Sequence, residues 1–475
     1  MIRNIVKNII ALSINGGIRI LFGMIIQVLI GRLLGAESLG KFAVMTAYIA
    51  IFQVVMQLGL PNLLIRETAR HRDEVSRYWW STVVVLVLAG LVAWGVQSMV
   101  AFLWGHPTDT YTMVVVSGIS LIPFGVVIAS EATLRGLERM EIIPLVQTIA
   151  YTLYTFAILV VVLLHLSVVA LGWAMVLLQT VGASLYLLYL ARARVVQRVW
   201  IDLNLTRYLL RLAPHFYGLP VAAIIPNRVA IIIIAKILGE EAGGIFNAAQ
   251  VLARALFFIS TGYSEALYPA LSRLFLQGWD RFRQGVRMGI QYGLVFSAVL
   301  SLGMMAWAPW LVDWVFGLGE YGDAVPLLRI LVWQAVLFVL NGVLGVVEMA
   351  ANRQDLTFYI AIAKVIAFLV IIPVFTYVGG LTGAALGILV SSGTSVALHI
   401  WAVHRVTRGV PSWHVWARAL LVVVGAVVVV LFTREMPLWV AGVVPILVYL
   451  LGLPVLRLVR WTDVRTVVYQ FAPGG

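Results

Sequence analysis

Apolar residues along this chain come in blocks of about twenty, the length that crosses a bilayer as a helix, with polar residues gathered in short gaps between blocks. Stretches 83–102, 114–133 and 417–432 are near-continuous apolar runs. In lipid the backbone of such a run must satisfy its own hydrogen bonds, and a helix does so within the segment. The pattern predicts fourteen transmembrane helices, at about 9–33, 41–65, 79–103, 111–134, 142–165, 168–191, 210–237, 242–272, 288–316, 324–350, 356–378, 380–403, 414–433 and 437–457. Arg3 and Lys7 ahead of the first apolar run imitate a signal peptide, but the hydrophobicity continues through the chain, and this segment reads as the first span.

Composition agrees with this pattern. Of 475 residues, 62% are hydrophobic and 11% charged, with mean hydropathy +1.01, whereas a soluble chain carries about a quarter charged residues. Cysteine is absent, which removes disulfides, thiol catalysis and thiolate metal sites.

The net charge of +13 is mainly a statement of orientation. Twenty-four of the 33 lysines and arginines fall on the termini and the even-numbered linkers, among them Arg66, Arg70, Arg72, Arg77, Arg192, Arg194 and Arg198. Only Arg32, Lys41, Lys236 and Arg434 fall on the opposite side. By the positive-inside rule both termini are cytoplasmic, and the excess suits an anionic inner leaflet rather than nucleic acid. The longest linker, residues 193–209, is basic and amphipathic and reads as an interfacial segment.

The span-one turn, from Arg32 through Gly35, Glu37 and Gly40, is matched at a constant offset by Lys236, Gly239, Glu241 and Gly244 after span seven. This predicts an all-α integral membrane protein of two six-helix lobes, residues 1–192 and 210–404. They are related by a pseudo-two-fold axis along the membrane normal, and two further helices and a tail follow over 405–475. Residues 35–41 also satisfy G-x-x-x-x-G-K, but Phe42 stands where a Mg²⁺-binding Ser or Thr belongs and the segment joins two helices, so it is no phosphate loop. No cofactor, metal or catalytic motif is present.

Five cations fall inside spans: Arg19, Arg228, Arg254, Arg329 and Lys364. Each costs several kcal/mol (roughly 3 at a helix centre) unless it meets water or a partner. Asn15 lies one turn before Arg19, and Gln53 and Gln57 share a face of span two with Thr46. Asn227 precedes Arg228, and Asn247, Gln250, Arg254 and Glu265 form a stripe on span eight. These stripes predict a polar, mainly cationic cavity between the lobes, fitted to an anion. Internal pairing is the alternative. Arg329 near the outer surface is expected to snorkel. His215 reads as a packed or interfacial histidine, and Glu131 and Glu348 as partners of Arg135 and Arg353.

The run Arg32-Leu-Leu-Gly-Ala-Glu-Ser-Leu-Gly-Lys-Phe, followed by Gln57-Leu-Gly-Leu-Pro-Asn-Leu-Leu-Ile-Arg66-Glu67, resembles the polysaccharide flippases of the multidrug/oligosaccharidyl-lipid/polysaccharide exporter superfamily. Asn227-Arg228 with Ile237-Leu-Gly-Glu-Glu-Ala-Gly-Gly-Ile-Phe is similar to that family's second-lobe signature, and Leu134-Arg-Gly-Leu-Glu-Arg139 to its linker after span four. The usual acidic residue before the arginine is Asn227 here, which departs from a cation-coupling pattern.

The resemblance implies alternating access and a substrate of undecaprenyl-pyrophosphate-linked oligosaccharide, moved across a bacterial or archaeal cytoplasmic membrane. It also implies membrane lipids and glycan polymerase or assembly proteins as partners. Guanidinium suits the substrate, because it binds phosphate oxygens bidentately and stays charged. A multidrug or cation antiporter of the same fold is the alternative, and it needs intramembrane carboxylates, of which there are few. A membrane glycosyltransferase or polymerase is a third reading, and it needs acidic residues on larger extramembrane loops than these.

Overall fold

The structure is a computed structural model that describes residues 2–196, 202–212, 218–351, 353–407, 424–425, 427–430, 432 and 438–455. Among the described residues it is helical, and nine helical stretches are long and apolar enough to cross a membrane. The chain divides into two compact units, residues 1–247 and 248–475.

In the first unit, α1 (Ile2–Met56) carries the first two predicted spans across a kink at Gly35, where φ is 83° and ψ 176°. The second span stops earlier than its apolar pattern suggests. Leu58 and Gly59 take left-handed backbone angles, and Pro61 then opens the separate, amphipathic α2 (Leu60–Arg70). α3 (Val75–Trp104) shows why these are membrane helices. It buries Gly90, Ala93, Gln97 and Ala101 against neighbours while Leu91, Val92, Val96, Met99, Phe102 and Leu103 point outward. Small or polar groups inside and large apolar ones outside is the arrangement lipid favours.

The fourth predicted span is two helices, α4 (Thr108–Gly118) and α5 (Leu121–Gly136), bent by 41°. Pro123 has no N–H for the carbonyl of residue 119, so the helix cannot pass straight through. α6 (Ile142–Leu163) and α7 (Ala170–Arg192) match the fifth and sixth spans.

The short α8 (Leu203–Leu212) is the amphipathic linker helix. Asp202 caps it through the backbone N–H groups of Asn204 (2.8 Å) and Leu205 (3.1 Å), and also accepts from Arg77. Those bonds hold the Asp202 carboxyl below the usual carboxylate range, the Arg77 bond first among them. α9 (Gly218–Leu238) is the seventh span, packed on α1.

α10 (Glu240–Leu276) runs through the boundary between the units. In the second unit, α11 (Trp279–Ala306) and α12 (Ala308–Val315) divide the ninth predicted span ahead of Pro309. The short α13 (Leu318–Tyr321) leads to α14 (Ala324–Leu331) and α15 (Gln334–Ala350), which carry the tenth. α16 (Gln354–Thr407) holds the eleventh and twelfth across a kink at Gly380, and α17 (Leu438–Val455) is the last.

Kinked α1 and α16 each hold two spans and α4–α5 is one bent span, so the helices accommodate the fourteen-span reading. The span at 414–433 falls mostly outside the described residues, as does His215. The core of the second unit is an apolar cluster of Leu271, Phe282, Val286, Ile290, Val339, Val343, Val347, Val396 and Val403.

Candidate functional site

The repeated turns fold alike. Gly239 has φ 95°, matching Gly35, and both sit where only glycine is unstrained. Five residues on in each copy, Gly40 and Gly244 bring α1 and the start of α10 into backbone contact. A Cβ on Gly40 would collide with the carbonyl oxygen of Glu240, and one on Gly244 with that of Ala36.

Charge closes around this contact. Lys41, 9% exposed, lies 2.8 Å from Glu37, 3.5 Å from Asp109 and 3.8 Å from Glu240, and Thr110 donates to Glu240. A cavity of about 510 Å³ beside it is lined by Glu37, His106, Lys236, Glu240 and Glu241 among others. His106 bonds the Tyr48 hydroxyl at 3.0 Å, and burial pushes its imidazole down to about 4, so it stands neutral.

The predicted site residues fall into several groups. Arg19 is exposed on α1. Tyr151, Glu131 and Tyr186 stand in electrostatic reach of its guanidinium. Phe22 stacks on Tyr151 and helps position it. Asn15, one turn away, is buried with its side-chain oxygen unpartnered. The Gln57 side-chain amide donates to the backbone carbonyl of Gln53, one turn earlier, at 2.9 Å. Asn247 donates to Gln27 at 2.9 Å.

Arg228 is half-buried on α9, two residues after Pro226, and among the described residues no hydrogen bond or ion pair engages it. In the second unit, Arg254 donates to Gln250 at 2.6 Å, one turn apart on α10. Lys364 is half-buried on α16, likewise without a partner among the described residues. The side chains of Asn227 and Glu265 lie outside the described residues.

Sequence reasoning anticipated the Glu131–Arg135 pair, at 3.3 Å, but not the rest of that buried network. The Glu131 carboxylate also accepts from Gln147 at 2.6 Å and Tyr186 at 3.3 Å. It misplaced the partner of Glu348. That carboxylate takes His399 at 2.7 Å and Thr357 at 2.7 Å, while Arg353 turns to Asp355 at 3.1 Å. The histidine is fifty-one residues away, and no local spacing links the two. A lone polar residue in an apolar span was the available signal.

The fold has relatives. The chain is similar to a solved lipid II flippase MurJ in an inward closed conformation, with TM-score 0.73 and 12% identity over 93% of this chain and 98% of that one. It is also similar to an inward-facing multidrug resistance MATE transporter, with TM-score 0.69 and 14% identity over 84% of this chain and 98% of that one. Both likenesses are of fold. A membrane protein of Methanocaldococcus jannaschii is 20% identical over 393 residues, 79% of this chain and 92% of that protein. The model of the polysaccharide biosynthesis protein family matches residues 5–275, more than half the chain, and the chain belongs to that family.

Proposed function

We propose that the chain is a flippase that moves an undecaprenyl-pyrophosphate-linked oligosaccharide across the cytoplasmic membrane by alternating access, with both termini cytoplasmic. The observation that carries this is Arg228, a guanidinium on an apolar helix that no described side chain engages. Such a charge costs about 3 kcal/mol at the centre of a span, and a phosphate ligand offsets that cost. Arg19 is the second cation of the first unit, exposed and in electrostatic reach of Tyr151. Arg254 and Lys364 supply the same chemistry in the second unit. The distribution of basic residues supports the orientation, and the family supports a role in glycan assembly, with polymerase or assembly proteins as neighbours.

The test is glycan export in cells lacking the native flippase. Arg19→Ala and Arg228→Ala are expected to abolish export without lowering membrane abundance or thermal stability. Normal export with both changed overturns the assignment. Efflux of cationic drugs by reconstituted protein would favour an antiporter instead.

A further inference from the structure

The second unit holds a buried ionisable pair for which the flippase reading has no use. Glu348 on α15 is 0% exposed and His399 on α16 7%. Nδ1 of His399 lies 2.7 Å from one carboxylate oxygen, and the Thr357 hydroxyl donates to the other at 2.7 Å. A second rung follows along the same helices. Ser395 donates to Asn341 at 2.7 Å, and Asn341 donates to the Leu337 carbonyl at 2.8 Å. Ser391 continues the four-residue interval, buried and with its hydroxyl unpartnered. Residues 391, 395 and 399 thus make one polar stripe through a seam packed by Val339, Val343, Val347, Val396 and Val403.

The first unit shows what is unusual here. Glu131 stands late in the fourth predicted span, as Glu348 does in the tenth. Its carboxylate faces Arg135, and guanidinium does not deprotonate in proteins. Around Glu348 that place is taken by imidazole, the side chain whose charge ordinarily changes within the physiological pH range.

The charged groups of the surrounding elements do not replace the missing cation. Arg353 gives Glu348 only a backbone N–H, at 2.9 Å to its carbonyl, and its guanidinium holds Asp355. Lys364 is two turns beyond Thr357 on α16, about 10 Å along the axis. Arg405 stacks on Trp401, and Arg329 on α14 precedes the far end of α15. α10 and α11 bring Leu271, Phe282, Val286 and Ile290 to the cluster, all apolar.

We propose that Glu348 and His399 form a proton-exchange site that couples the conformation of the second unit to proton activity. With the imidazole neutral, Nδ1–H donates to the carboxylate and the pair carries one negative charge. One proton taken up at Nε2, which has no partner among the described residues, turns it into a neutral imidazolium–carboxylate pair. Release of that proton restores the first state. A net charge sealed in an apolar seam is costly and a neutral pair much less so. Protonation therefore favours the packed arrangement seen here, and deprotonation favours one in which water reaches the pair. The coupling half of the proposal rests on the transport reading, whereas the proton site does not.

Both halves are testable on the full chain. In phospholipid nanodiscs, ¹⁵N-histidine spectra resolve seven imidazoles, and His399→Asn identifies the resonance of this one. Its signal is expected to switch between the neutral and protonated forms as pH is varied, and that response to change in Glu348→Gln. An imidazole that keeps one protonation state at every pH at which the protein stays folded overturns the proposal.

In proteoliposomes the probe is a fluorescent undecaprenyl-pyrophosphate disaccharide. An imposed pH gradient is expected to change its flipping rate severalfold. His399→Asn and Glu348→Gln should keep gradient-free flipping and lose that response, and a full response in both overturns the coupling. If wild type never moves the probe, the flippase reading fails and the histidine titration alone decides the proton site.

Discussion

Gly40 and Gly244 interlock. A Cβ on Gly40 would stand 2.9 Å from the Gly244 nitrogen, and one on Gly244 would stand 3.0 Å from the Gly40 nitrogen. Overpacking a close contact costs about 1–3 kcal/mol, comparable to the gap between states of a switching protein. Gly40→Leu is therefore expected to shift the population about tenfold toward arrangements in which the two turns stand apart. The chain has no cysteine, so spin labels at Glu37→Cys and Glu241→Cys read the distance directly. An unchanged distance distribution in Gly40→Leu would show that the turns do not need this contact.

Lys41 serves three carboxylates, and they are not equal. Glu37 and Asp109 are 65% and 61% exposed at the side chain, so their pairs are weak, whereas Glu240 is 10% exposed. Removing the cation leaves the Glu240 charge enclosed. Lys41→Met is expected to cost about 3 kcal/mol, and the double variant with Glu240→Gln to recover most of it. Thermal unfolding of the four proteins in detergent checks this, and purely additive losses would mean that the pair is not the source.

The repeated turns follow from a local rule, which is why they were legible in the sequence. Gly35 and Gly239 announce themselves by repetition, and both adopt positive φ. Pro61 and Pro123 mark breaks within apolar blocks that hydropathy alone runs together. What stayed hidden was partnership across distance. Glu131 and Arg135 are one helical turn apart and could be paired on paper, but nothing near Glu348 points to His399. In lipid-exposed helices the apolar residues are uniformly distributed, so periodicity does not identify which faces meet. Single polar residues mark those faces, and the fold decides which of them pair.

His106 makes stability depend on acidity in a defined direction. Burial first, then the nearby Lys236 charge, pushes it down to about 4, while the unfolded chain has a histidine value of about 6.5. The unfolded state therefore binds the extra proton between those values. The stabilising contribution is present above about 6.5 and is lost as pH falls toward 4. With allowance for partial exposure, the loss comes to about 2 kcal/mol. Thermal unfolding between pH 7 and pH 4 should be less acid-sensitive in His106→Asn than in wild type. Equal sensitivity would assign the acid response to other groups.

Arg228 separates function from stability. If its place on α9 is for a substrate, then the protein without substrate bears an uncompensated cost. Arg228→Leu relieves it and is expected to raise stability by about 2 kcal/mol while export is lost. A structural arginine gives the opposite sign, because deleting it would leave its partner buried and unpaired at a cost of about 3–5 kcal/mol. Thermal unfolding of wild type and Arg228→Leu, each with and without undecaprenyl pyrophosphate, distinguishes the two. Wild type should be stabilised by the lipid and the variant should not respond. A variant that is both less stable and still lipid-responsive would place phosphate recognition elsewhere in the protein.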